Sequence, residues 1–294
     1  MLKEKIAKRL NVKKENVMIG SGSDELIVLT AIRYVMKNDS TIMADPSFFR
    51  YKQATEMLNG SCNMVSCKNY VHDLSAMKSQ INERTKIVFL CNPNNPTGTL
   101  ISCEEIDDFV ASVPKDLIVV VDEAYFDFVY PKDTRSAISL IDKYENLVVL
   151  RTFSKFFALA GIRVGCAVGD AKIINEISKL RSPYSVNSLA QIAAESVLDN
   201  SDYFDNIFYT EVLEEKKYIY NELNNLGLNF VKSQANFIFT EFGVECETWC
   251  NSLADKGVII RPCAMFGFPN HVRITIGSHQ ENELLIKELK NIKG

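Results

Sequence analysis

Short apolar, β-branched runs recur along the chain, separated by stretches in which apolar and polar positions alternate with helical spacing. The clearest runs, Asn16–Ile19, Ser40–Ala44, Lys86–Leu90, Leu117–Val121 and Asn146–Leu150, predict strands. Between them Asp24–Met36, Phe49–Leu58, Cys103–Ala111 and Ala137–Lys143 predict helices. Strands apolar on both faces and spaced by helices make a mainly parallel sheet covered on both sides. Such sheets bind ligands in the crevice beyond the carboxyl ends of their strands. Further along come a long helical region, Asp202–Leu226, the segment Asn229–Phe242 and a helix over Cys246–Lys256. Strands near Val258–Arg261 and His271–Ile276 follow, with a last helix from Gln280. The expected organisation is a large α/β domain over residues 1–200 and a smaller α+β domain over 201–294.

Composition narrows the class without changing that picture. The chain has 294 residues, 47% apolar and 24% charged, which is ordinary for a globular protein of this size. A net charge of −4 and the lack of a basic stripe argue against a nucleic acid or an anionic membrane as partner. The 8 cysteines fall mostly inside apolar runs and form no CxxC, so buried reduced thiols are expected rather than a metal site. The first residues lack the apolar core of a signal peptide, and no apolar run approaches the ~20 residues of a membrane span. A soluble cytoplasmic protein is expected.

Chemistry gathers where the strands end. After Lys86–Leu90 comes Cys91-Asn92-Pro93-Asn94-Asn95-Pro96-Thr97-Gly98, and after Leu117–Val121 comes Asp122-Glu123-Ala124-Tyr125. Asn146–Leu150 runs into Arg151-Thr152-Phe153-Ser154-Lys155, and Asn16–Ile19 into Gly20-Ser21-Gly22-Ser23-Asp24-Glu25. Taken singly these are turns, caps and a solvated lysine. Together they bring an amide, a carboxylate, a lysine and a glycine-rich turn to one sheet edge, and that set suits pyridoxal 5'-phosphate. This cofactor needs a lysine to hold its aldehyde carbon and an acid to keep its ring nitrogen protonated. It also needs donors at its phenolic oxygen and a cradle for its phosphate. Lys155 supplies the amine and Asp122 the acid, while Asn95 and Tyr125 can serve the phenolic oxygen. Gly22, Ser23 and Asp24, at a helix start, offer N–H groups and a favourable dipole to the phosphate. Ser154 and Arg163 add a hydroxyl and a cation. The turn lacks the GxGxxG spacing of nicotinamide-dinucleotide proteins, and no P-loop motif occurs.

These motifs are recognisable as a set. Asn95-Pro96-Thr97-Gly98, Asp122-Glu123-Ala124-Tyr125 and Ser154-Lys155 with Arg163 resemble the fold-type I, class II aminotransferases. The nearest resemblance within them is to histidinol-phosphate aminotransferases, carried by Gly20–Leu26, Thr152–Gly161 and Gly267–Gly277. It implies a PLP-dependent fold with a mainly parallel sheet, a homodimer, and ping-pong transfer between an amino donor and a 2-oxo acid such as 2-oxoglutarate, in histidine biosynthesis. The same resemblance puts Phe48 where the family stacks an aromatic ring on the pyridine, and Thr152 among the cofactor contacts. It makes Arg273 the grip on the substrate's acidic group and Arg261 the cation for a substrate phosphate, a task suited to a planar guanidinium fork. The family usually carries about 60 residues before the segment matching Met1–Gly20, and without that arm lower stability or altered assembly is expected. Neighbouring expectations are an aromatic amino-acid aminotransferase, a threonine-phosphate decarboxylase, and a homologue that binds cofactor without turnover.

Overall fold

The computed structural model describes residues 1–293. Among the described residues eleven strands form two sheets. The first holds β1 (Val17–Gly20), β2 (Ser40–Asp45), β3 (Ser61–Ser66), β4 (Thr85–Cys91), β5 (Ile118–Asp122), β6 (Leu147–Thr152) and β7 (Gly165–Gly169), in the order β1-β7-β6-β5-β4-β2-β3. From β6 to β3 all neighbours are parallel; β7 runs against both β6 and β1. Two reversals restore direction, so β1, β2, β4, β5 and β6 all end on the same edge. The second sheet holds β8 (Phe230–Val231), β9 (Phe237–Glu241), β10 (Arg261–Pro262) and β11 (His271–Thr275), antiparallel throughout in the order β10-β11-β9-β8.

The strand sequences explain why both faces of the large sheet are covered. In β4, Val88 and Leu90 pack into one apolar cluster and Ile87 and Phe89 into another; in β5, Val119 and Val121 oppose Ile118 and Val120 in the same way. The period of two thus sends alternate residues to two separate cores. Helices α2 (Gly22–Tyr34), α3 (Arg50–Glu56) and α6 (Ala171–Ser178) supply Leu26, Tyr51 and Ile173 to one core. The other takes residues from α1 (Leu2–Leu10), α4 (Leu74–Ser79), α5 (Cys103–Ser112) and α7 (Ser188–Asp199), and continues into the second sheet with α8 (Tyr209–Asn225), α9 (Cys246–Asp255) and α10 (His279–Lys293). Each fully buried aliphatic side chain contributes about 1.5–3 kcal/mol relative to exposure, so this two-sided burial fixes the strand ends firmly. Local signals set several helix starts: Ser102 and Glu105 form a reciprocal capping box on α5, and Asn187 caps α7.

Some expectations change. Ala137–Lys143 is not a regular helix: a single 3-10 turn, Ala137–Leu140, stands there, started by Ser136 whose side chain accepts from the Ile138 N–H. The strand expected at Val258–Arg261 shrinks to Arg261–Pro262. The long region Asp202–Leu226 opens with a π-helical turn, Tyr203–Phe208, before α8 begins. Two strands come without a clear pattern in the sequence. β3 is a half-exposed edge strand of mixed polarity, and β7 is glycine-bounded and short. Among the described residues no helix is long and apolar enough to cross a membrane.

Candidate active site

One cavity of about 390 Å³ opens at the carboxyl edge of the large sheet and is closed on its far side by the second sheet. Ser23, Asp24, Phe48, Asn95, Asp122, Tyr125, Thr152, Ser154, Lys155, Arg163, Arg261 and Arg273 all line it. Gly22 lies directly behind this wall: a Cβ there would fall 2.6 Å from Nη2 of Arg163. All the residues singled out in the sequence are therefore brought together.

The floor is Asp122, the last residue of β5, paired in register with Cys91 of β4 and Leu150 of β6. Its carboxylate is buried; Oδ2 accepts from the Tyr51 hydroxyl at 2.8 Å and Oδ1 from the Ala124 N–H at 3.2 Å. Burial raises its pKa to about 6, against the lowering effect of those two bonds and of the Lys155 charge. Tyr51 was not singled out in the sequence. It sits on α3, fully buried and stacked on Phe89 with ring centroids 4.7 Å apart. Its helix reads Arg50-Tyr51-Lys52-Gln53, a polar surrounding that carries no local signal of the buried role.

Lys155 follows β6 and reaches over the Tyr125 ring, with Nζ 5.4 Å from the centroid. Burial lowers its pKa, the positive charges of Arg273 and Arg163 add to that, and Asp122 opposes it. An amine so placed is drawn toward its neutral, nucleophilic form. Tyr125 is buried edge-on against Phe237 at 5.0 Å, and burial pushes its pKa up to about 12, so it stays a phenol and can donate. Asn95 Oδ1 accepts from Nη1 of Arg273 at 2.8 Å, which joins the loop after β4 to β11 of the second sheet. With that oxygen engaged, the Nδ2 group of Asn95 is the end left to donate.

The opposite end of the cavity is basic and built from backbone. Gly22 has φ +82° and opens α2, whose preceding residue, Ser21, caps no N–H with its side chain. The first-turn N–H groups of α2 are thus available to an anion. Arg163, itself left-handed at φ 61°, donates from Nη1 to the Ala160 carbonyl at 2.9 Å and lies 3.5 Å from the Ser154 hydroxyl. The Thr152 hydroxyl bonds that of Ser154 at 2.9 Å and accepts from its N–H at 3.1 Å. Gly165 lets these parts meet, since a Cβ there would stand 2.7 Å from the Ser23 nitrogen and 2.8 Å from the Arg151 carbonyl oxygen. The Asp24 carboxylate itself turns to Arg50, 2.9 Å away, so Asp24 offers the cavity its backbone rather than its charge.

The class I and II aminotransferase family model matches residues 1–289. The chain belongs to the class I and II aminotransferases. Among curated relatives of this aminotransferase, the histidinol-phosphate aminotransferase of Caldicellulosiruptor saccharolyticus is 38% identical over 99% of the chain and 81% of its own length. The solved histidinol-phosphate aminotransferase of Clostridium acetobutylicum superposes with a TM-score of 0.91 at 25% identity, covering 99% of this chain and 88% of that one. That of Sinorhizobium meliloti, solved in complex with pyridoxal-5'-phosphate, shares the fold at TM-score 0.91 and 23% identity, over 99% and 80% of the two chains. The aminotransferase is thus a PLP-dependent enzyme. The cavity fits that cofactor on its own evidence. A buried carboxylate held by a hydroxyl and a backbone N–H, and disfavoured as an anion until a cation joins it, suits a protonated ring nitrogen; a lysine stands within the same chamber, and the space that a Cβ at Gly22 would fill is kept open beside Arg163. Phe48 and the unforeseen Phe49 and Phe266 add apolar walls for a planar ring.

Proposed function

We propose that this aminotransferase moves the amino group of histidinol phosphate to 2-oxoglutarate, working as a cytoplasmic homodimer. The observation that carries the substrate class is the pairing of Arg261 with Arg273 across β10 and β11. Residues directly opposed in an antiparallel ladder share a face, so two like charges stand side by side at the cavity wall. Such a pair repels until an anion enters between or beside the two guanidinium groups. A donor bearing a phosphate, and a 2-oxo dicarboxylate, both supply that anion. The names of the relatives support the same substrate.

When bound, pyridoxal phosphate supplies a carbonyl carbon that takes up the amino group and a protonated ring that draws off electrons from the reacting carbon. The chain supplies the rest. In this reading α2, Ser154 and Arg163 hold the phosphate, Asp122 keeps the ring nitrogen protonated, and Asn95 and Tyr125 donate to the phenolic oxygen. Phe48 sets the ring plane. Lys155 anchors the resting cofactor and, with its charged form disfavoured by burial, would take a proton from the donor's carbon on Nζ and return it. Arg261 and Arg273 orient first the donor and then the acceptor, as a two-stage exchange in one site requires.

The test is a donor panel on the cofactor-loaded enzyme, reading glutamate formed from 2-oxoglutarate. Histidinol phosphate should outpace phenylalanine and tyrosine, and Lys155→Ala should abolish turnover and covalent cofactor attachment with the fold retained. Carbon dioxide released from threonine phosphate without glutamate would replace this reading by a decarboxylase. Turnover of Lys155→Ala at the wild-type rate would remove Lys155 from its role.

A further inference from the structure

A second cavity, of about 260 Å³, lies away from the active site between α8, the segment 232–234 and the loop at Tyr130. Lys216, Lys217 and Lys232 line it together with Tyr130, Tyr220 and Ser233, and no aspartate or glutamate does. Lys216 is the unusual member. It is only 5% exposed, yet its Nζ has one hydrogen bond, to the Ser233 carbonyl at 3.2 Å. An ammonium carries three donors, so two are left for the cavity. Burial alone moves its pKa, down to about 8, with no carboxylate nearby to hold the charge. Buried cations in proteins are ordinarily paired, because an unpaired one forfeits its hydration without return.

None of the residues lining the cavity is a carboxylate that could pair with Lys216, and the nearest polar groups have partners of their own. The Tyr220 hydroxyl accepts from the Ser233 N–H at 2.8 Å, and the Gln234 amide is spent on both backbone groups of Tyr130, at 2.9 and 3.1 Å. Lys217 and Lys232 are exposed and bring further positive charge to the rim. We infer that this cavity is a binding site for a small phosphate-type oxyanion, with Lys216 as the buried anchor and Lys217 and Lys232 as its outer cations. The volume admits inorganic phosphate or a small phosphate monoester. The inner wall is also close to the catalytic machinery by chain: the Gln234 N–H donates to the Gly98 carbonyl at 2.7 Å, three residues beyond Asn95.

Inorganic phosphate is the probe, titrated by calorimetry into the cofactor-loaded protein carrying Arg261→Ala, which removes an anion contact of the active site. Saturable binding is expected, absent with chloride at matched ionic strength. Lys216→Met should weaken it at least about ten-fold, the loss of a charge-assisted hydrogen bond. Lys217→Ala with Lys232→Ala, both on the surface, serves if Lys216→Met does not fold, and should weaken binding similarly. Phosphate should also slow labelling of Lys216 by a neutral amine reagent, read by mass spectrometry. Lack of saturable binding overturns the inference, as does equal affinity in the parent and both variants. A phosphate monoester that binds more tightly than phosphate, and loses that advantage in the same variants, would support it and identify the esterified form as the ligand.

Discussion

The Tyr51 hydroxyl donates to Oδ2 of Asp122 at 2.8 Å, from a ring that is fully buried and stacked on Phe89. The carboxylate at the floor of the active site, at the end of β5, is therefore aimed by a residue on α3, outside the cavity lining. Tyr51→Phe preserves the stack and deletes only the bond. Asp122 should then bind its proton more readily, since this bond is among the influences that lower its pKa. Turnover should fall several-fold, and folding stability by about 1–2 kcal/mol, from one buried acceptor left short of a donor. Chemical denaturation and steady-state rates measure the two effects; an unchanged rate would reduce Tyr51 to packing.

Asp122 should also leave a signature in the pH dependence of the cofactor-free protein. Its folded pKa, about 6, lies above the ordinary carboxylate value, so the native state binds this proton more tightly than the unfolded chain does. The group's contribution to stability is thus present below the unfolded pKa and is lost as pH rises through about 6, by on the order of 3 kcal/mol. Melts of cofactor-free wild type minus Asp122→Asn, between about pH 4 and 7, should show that slope. Adding pyridoxal phosphate should flatten it, because a cationic ring nitrogen returns the carboxylate to its ionised form.

The arginine pair separates by role. Arg261 is exposed and stands opposite Arg273 in the ladder, so Arg261→Ala should raise the KM for a phosphate-bearing donor about 10–100-fold with a smaller change in kcat. Arg273→Ala should cost both, because it also frees Asn95 Oδ1 from the bond that joins the loop after β4 to β11. Steady-state kinetics with histidinol phosphate and with an uncharged-side-chain donor would show whether the Arg261 effect follows the phosphate.

Gly22→Ala introduces a Cβ 2.6 Å from Nη2 of Arg163 at a residue with φ +82°. Both the strain and the displaced guanidinium act on the basic end of the cavity, where the proposed reading puts the cofactor phosphate. The expected result is cofactor affinity weaker by about ten-fold or more with the donor KM little changed, read by dialysis and absorbance titration. Equal affinity would detach Gly22 from the cradle.

The strand ends are legible because the apolar runs break off at Asn92, Asp122, Arg151 and the glycine-serine turn from Gly20, and the covered-sheet rule puts them on one edge. Arg261 and Arg273 were legible only through family resemblance. Their cross-strand register depends on how β10 meets β11, and a two-residue strand leaves no periodic pattern. Tyr51 was invisible for a related reason: its partner lies 71 residues away, and nothing local distinguishes its hydroxyl from any other on a helix. β7 was missed because Gly165 and Gly169 read as turn residues; Gly165 is instead where two backbones approach too closely for a side chain. Ala137–Lys143 has helical spacing because Ala137, Ile138, Leu140 and Ile141 all face the core, yet one turn capped by Ser136 satisfies that burial and is what forms.

The bond from Arg273 to Asn95 ties a strand of the second sheet to the loop after β4. It engages Nη1, and a guanidinium carries five donors, so in the proposed reading an incoming acid meets the rest of the fork while that tie stays closed. The grip on the substrate is then aimed by the same junction that holds the two sheets together.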